Sequence, residues 1–173
     1  MELLSEDVNR ALLRIPRDVR ELVKNERIII AGGFIRSVIS GDRVSDLDLF
    51  GESKPHLEVV ARALADKRNA RLHETENALT LLTPGRMTIQ FIHRWVYPAG
   101  GGSVIGDFDY TIAQAAIWAE PIPLISGQEQ KHTWHSHCSD RYYADLAAKR
   151  LVYTSPTREE EAGGSLLRAR KFI

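Results

Sequence analysis

The sequence predicts an α/β domain, a mixed central sheet flanked by helices, with a C-terminal helical tail. Three observations carry this expectation. The β-branched apolar run Ile28-Ile29-Ile30 ends in Gly32-Gly33, as a buried strand does before a tight turn. Ser45 to Phe50 alternates strictly, with Leu47 and Leu49 on one side of a strand and Asp46 and Asp48 on the other. Between residues 54 and 69, Leu57, Val60, Ala61 and Leu64 recur at helical spacing.

The remaining elements follow in chain order. Residues 4 to 24 read as a helix with Leu12, Leu13, Ile15, Val19 and Leu22 as its apolar positions, interrupted near Pro16. Phe34 to Ser40 reads as a short helix, with Phe34, Val38 and Ile35 inward and Gly41-Asp42 closing it. Two strands, Ala78 to Thr83 and Met87 to His93, form a hairpin across Pro84-Gly85. After the Gly100-Gly101-Gly102 loop, Val104 to Phe108 leads into a predicted helix from Tyr110 to Trp118. A further short helix is predicted over 141 to 152, with Tyr143, Leu146, Ala147 and Leu151 on its packing side. The domain then spans 1 to 153, and residues 154 to 173 form a polar linker and a basic final helix.

Composition agrees with one soluble domain. The 173 residues are 43% hydrophobic and 27% charged, enough for a core without disulfides. The formal net charge of zero argues against strong nonspecific nucleic-acid binding, while leaving room for a local basic stripe. No apolar run is long enough to span a membrane, and Glu2, Glu6 and Asp7 do not suit a signal peptide. A cytoplasmic setting is expected. The single cysteine, Cys138, cannot form an internal disulfide.

The chemistry concentrates in residues 28 to 50. Asp46 and Asp48 share a strand face, where like charges repel unless a divalent cation bridges them. Gly32 and Gly33 let the backbone approach a ligand, with N–H groups of the following turn available to phosphate oxygens. Arg36 has two readings: a guanidinium fork on phosphate, or an ion pair with Asp42 or Asp46.

This arrangement resembles the nucleotidyltransferases of the polymerase-beta superfamily, most closely the head domain of bacterial-type CCA-adding enzymes and poly(A) polymerases. The resemblance rests on Gly32, Gly33, Arg36, Asp46 and Asp48, on Asp109-Tyr110-Thr111 in place of an Asp-Phe-Thr core, and on the final Leu166-Leu-Arg-Ala-Arg-Lys-Phe. It implies a nucleotidyltransferase fold and catalysis by Asp46 and Asp48, which would hold Mg²⁺ or Mn²⁺. It also implies binding of a nucleoside triphosphate such as ATP by Gly32, Gly33, Arg36 and Asp109. The acceptor would be an RNA or a protein. Asp109 has a second reading, as the cap of the helix predicted to begin near Tyr110.

Departures from the family pattern shape the expectation. Gln90 stands where a third carboxylate is common, and a neutral amide binds a metal more weakly. Asp107-Phe108 replaces an arginine pair and Ala113 an asparagine, which removes positive charge from the nucleotide's place. Two alternatives therefore stand beside the enzyme: an inactive or weak binding module of a phage or mobile element, and a toxin-like nucleotidyltransferase. The cluster His132-Thr-Trp-His-Ser-His-Cys matches no standard zinc spacing and reads as a polar surface strand or loop. Trp95, Trp118 and Trp134 are available for base stacking, with Trp118 read as core. Lys149, Arg150, Arg168, Arg170 and Lys171 read as a basic strip beside the site or as a solvated face.

Overall fold

Ile29–Ala31 (β1), fully apolar and buried, lies near the middle of a seven-stranded sheet. In the computed structural model, the structure describes residues 1–124, 127, 129–154, 162–170 and 172. The other strands are Asp46–Phe50 (β2), Arg71–Glu74 (β3), Ala78–Leu82 (β4), Thr88–Ile92 (β5), Ala115–Pro121 (β6) and His132–Cys138 (β7). Their order is β3-β4-β5-β2-β1-β6-β7. Among the described residues β2 and β5 pair in parallel and the other five strand pairings are antiparallel, so the sheet is mixed, as expected.

Strand alternation divides the core between two faces. Ile28, Ile30, Leu47, Leu49, Ile89, Phe91, Leu79 and Leu81 point to one face. That face is covered by Ser5–Arg14 (α1), Arg17–Asn25 (α2), Gly33–Ser40 (α3) and Lys54–Arg68 (α4). Ile29, Ala31, Phe50 and Ala116 point to the other, under a smaller cluster with Tyr97, after β5, and Val104 of the 3-10 helix Gly101–Asp107, which replaces the loop expected at Gly100-Gly101-Gly102. Asp46, Asp48 and Gln90 share the parity of Phe50 and Ile92, so the polar residues of the central strands lie on the face without the four helices.

The N-terminal helix breaks into α1 and α2 at Pro16, whose ring suits the residue just before a helix. Ile15 and Val19 are buried as expected, but Leu13 is 77% exposed, because a 100° step per residue carries it to the solvent side of α1. Gly41, in the left-handed conformation with φ +73°, closes α3. In α4, Ser53 accepts a hydrogen bond from the N–H of His56 and Pro55 occupies the first turn.

Three expectations change. β3 was not predicted: its sequence Arg-Leu-His-Glu offers a single apolar side chain at the sheet edge. The helix expected from Tyr110 to Trp118 is a single 3-10 turn, Thr111–Ala113, followed by β6. Ala115 and Ile117 face the helical side of the sheet while Ala116 and Trp118 face the other, so burial between β1 and β7 overrides the helical propensity of an alanine-rich segment. The helix expected over 141–152 is shortened to Tyr142–Ala147 (α5), with Tyr142 fully buried and Leu151 exposed. The chain ends in Ala162–Ala169 (α6); residues 155–161 of the expected linker, and Lys171, lie outside the described residues. No helix among the described residues is long and apolar enough to cross a membrane.

Candidate active site

Asp46 and Asp48 emerge half-buried from β2 beside the start of α3. In the β2–β5 register Asp48 lies opposite Gln90, and Gln90 lies opposite Thr80 of β4. Gly33, Arg36, Asp46 and Asp48 line one cleft of about 470 Å³, with Arg43 and Arg168 on the same walls. A smaller cavity of about 160 Å³ adjoins it, sharing Asp48 and Arg168 and adding Asp109 and Trp95. Among the described residues no group of three or more His, Cys, Asp or Glu side chains could hold a metal ion. The aspartate pair offers hard oxygen ligands for a cation that retains waters and phosphate oxygens, a donor set that suits Mg²⁺.

The two glycines differ in what they do. Gly32 has φ +84°, and its N–H donates to the carbonyl of Ala115 at 3.0 Å. Its amide is therefore committed to the sheet. A Cβ on Gly32 would lie 2.9 Å from Cε1 of Phe108, so this position brings the backbone against the cleft wall. Gly33 begins α3, whose first-turn amides have no acceptor within the helix, and a Cβ there would meet nothing within 4 Å. Gly32→Ala is expected to cost on the order of 1–3 kcal/mol and to displace Phe108, whereas Gly33→Ala should leave thermal stability nearly unchanged. Paired melting curves check this contrast.

Arg36, with its side chain 18% exposed, faces Asp42 with a separation of 3.8 Å between Nη1 and Oδ2, and donates from Nη2 to Ser37 Oγ at 3.1 Å. Its guanidinium lies 4.9 Å from the centre of the Phe172 ring. The ion-pair reading of Arg36 thus holds for Asp42, through one long contact. Its buried Nε has no hydrogen-bond partner among the described residues, so the fork retains donor capacity.

Asp109 is buried, and its carboxylate pairs with the guanidinium of Arg168. The capping role fails: Tyr110 occupies the cap position of the 3-10 turn and no side chain caps it. Asp107, which stands in the place of a family arginine, accepts a hydrogen bond from the Tyr97 hydroxyl at 2.8 Å. Phe108 packs edge-on to Phe50. Positive charge enters the cleft instead from Arg168 on α6 and from Arg43 in the loop before β2. Arg43 was not singled out by sequence reasoning, although its place three residues before Asp46 was a usable signal.

The expected basic strip divides. Arg168 reaches the cleft, whereas Arg150 turns to the buried Asp145, 3.3 Å away. Asp145 also accepts from Thr111 at 2.8 Å and from Arg141, and these bonds hold its carboxyl below the usual range, Arg141 most strongly. Trp118 lies over Gly101 and stacks on His135, a packing role. The histidine-rich segment is the edge strand β7.

A family model described as Gabija anti-defense 2 family protein matches residues 2–124. The chain belongs to this family. No curated protein matches it. Among solved structures, a CCA-adding enzyme in complex with ATP is similar over 96% of this chain and 40% of its own, with a TM-score of 0.62 and 18% identity. The Thermotoga maritima CCA-adding enzyme complexed with tRNA is similar over 96% of this chain and 40% of its own, with a TM-score of 0.59 and 19% identity. A tRNA-processing enzyme in an apo form matches over 91% and 42%, with a TM-score of 0.60 and 22% identity. The chain therefore spans about two fifths of the length of these structures. At such identities the likeness shows the fold, and this member of the family has a nucleotidyltransferase fold.

Proposed function

We propose that the protein transfers a nucleotide from a nucleoside triphosphate to an RNA or protein acceptor, using a divalent metal held by Asp46 and Asp48. The observation that carries this reading is the placement of both carboxylates in one cleft with the start of α3, Arg36, Arg43 and Arg168. First-turn amides of α3 would bind triphosphate oxygens, and Arg36 and Arg43 would orient them by charge-assisted hydrogen bonds. Asp109 holds Arg168 toward the same space, so its charge acts on the nucleotide through that guanidinium. Mg²⁺ or Mn²⁺, when bound, supplies neutralisation of phosphate charge and lowers the pKa of the attacking group. Solved neighbours that hold ATP or tRNA support the ligand class, and the anti-defense description agrees with a phage or mobile-element protein whose acceptor belongs to a defence system.

The neutral Gln90 beside Asp48 favours a second reading, in which the cleft binds nucleotide without turnover. Titration calorimetry with Mg²⁺ and each triphosphate tests the shared premise. Binding that requires the metal supports the site; no binding at millimolar ligand contradicts it. If Gln90 lies in the place of a third carboxylate, Gln90→Glu should tighten Mg²⁺ binding by roughly an order of magnitude through the added charged oxygen ligand. Unchanged metal affinity in that variant would put Gln90 outside the metal's reach.

A further inference from the structure

Beside the candidate site lies a second, open cleft of about 780 Å³, and Phe34 and Arg43 line both. Three arginines from distant parts of the chain surround it: Arg14 at the end of α1, Arg43 before β2, and Arg86 in the β4–β5 turn. All three are exposed, and none forms an ion pair among the described residues. Two carboxylates lie nearby, Asp42 in the cleft lining itself and Asp18, whose carboxyl also feels the charge of Arg86, and both have another arginine as partner. Asp42 faces Arg36 at 3.8 Å, and Asp18 accepts from both Nε and Nη2 of Arg68, at 2.6 and 2.8 Å. A chain of zero formal net charge thus sets three arginines against one lining carboxylate, Asp42, along a cleft that adjoins the one holding Asp46.

We infer that this cleft binds the phosphate backbone of a nucleic-acid strand and leads its end to Asp46 and Asp48. The inference deepens the proposed transfer reaction and rests on it for the direction of the strand, while the binding itself stands on the arginines. Guanidinium forks suit phosphate oxygens, and the half-buried Val44 and Met87 in the cleft lining give a base a nonpolar surface without base-edge readout. Recognition should therefore be insensitive to sequence and strongly dependent on salt. A groove bordered from three segments fits a strand better than a broad acidic protein face, which is the competing occupant.

Fluorescence anisotropy of the full chain with labelled oligo(U) and oligo(dT) of about 12 nucleotides tests the inference, with a poly-glutamate peptide as competitor. The experiment contains no triphosphate or metal. The wild type should bind at low salt, and the double substitution Arg14→Ala with Arg86→Ala should weaken binding at least about tenfold. Losing two phosphate contacts on a single strand should also make the plot of log affinity against log salt shallower by about 1.4. Preference for either sugar supports the inference and identifies the acceptor's chemistry. The inference is overturned if the wild type binds neither oligonucleotide at about 100 μM, if the double variant keeps wild-type affinity and slope, or if poly-glutamate binds more tightly than both. Should the alanine pair lower the melting temperature, Arg14→Gln with Arg86→Gln provides the same comparison, since it removes both charges and keeps most of each side-chain stem. Metal-dependent triphosphate binding measured on the same proteins separates the two claims. Its absence beside arginine-dependent oligonucleotide binding would remove the transfer reaction and leave the strand site.

Discussion

Asp48→Asn is expected to lower metal-dependent nucleotidyl transfer by a hundredfold or more, on the order of what removing one preorganised charge-stabilising group costs an active site. Asp48 faces the neutral Gln90 across the β2–β5 register, so the substitution leaves Asp46 as the remaining carboxylate of the pair. Asparagine keeps the shape of the side chain while relieving repulsion between two like charges on one strand face. Thermal stability without metal should therefore stay level or rise. Transfer rate and melting temperature are measured together. A variant that fails to fold would make Asp48 a structural carboxylate, and one with full activity would remove the pair from catalysis.

The largest expected effect on stability lies away from the cleft, at Asp18. Arg68, the last residue of α4, has a side chain only 3% exposed and donates two hydrogen bonds to Asp18 in the first turn of α2. Asp18→Ala would leave that guanidinium buried without its carboxylate, at a cost of about 3 kcal/mol. The hydrogen bonds from Arg68 hold the Asp18 carboxyl below its ordinary range. A carboxylate depressed in the folded state contributes stability above its unfolded pKa, near 4, and that contribution disappears as pH falls through the folded value. Urea denaturation should consequently show a wide gap between wild type and Asp18→Ala at pH 7 that narrows below about pH 4. A gap independent of pH would mean that lost packing, rather than the ion pair, causes the destabilisation.

The segment from β1 to β2 was readable because each of its signals is local. A β-branched run, a glycine pair, a left-handed glycine after a short helix and strict alternation each constrain a few neighbouring residues, and they agree. The 3-10 turn and β6 were not readable in the same way. Ala115 to Ala119 has helical composition, and its extended form depends on pairing with β1 and β7, strands that are distant in sequence. β3 carries too few apolar residues to announce itself, and its strand identity comes from pairing with β4. In the candidate site, Asp46, Asp48 and Gly33 follow from local pattern, whereas the partner of Asp109 is a residue 59 positions away. The commitment of the Gly32 amide was not legible in sequence because its acceptor, the Ala115 carbonyl, is supplied by that unpredicted strand.

The aspartate cleft is proposed to transfer a nucleotide. Its most direct test is incubation of the full chain with each α-labelled triphosphate, Mg²⁺ or Mn²⁺, and both RNA and protein acceptors, followed by separation of the products. Label should become covalently attached to one acceptor class in the presence of metal, with release of pyrophosphate, and both should be lost in Asp48→Asn. Triphosphate and metal binding with no label in any acceptor would contradict transfer and make the protein a nucleotide-binding module.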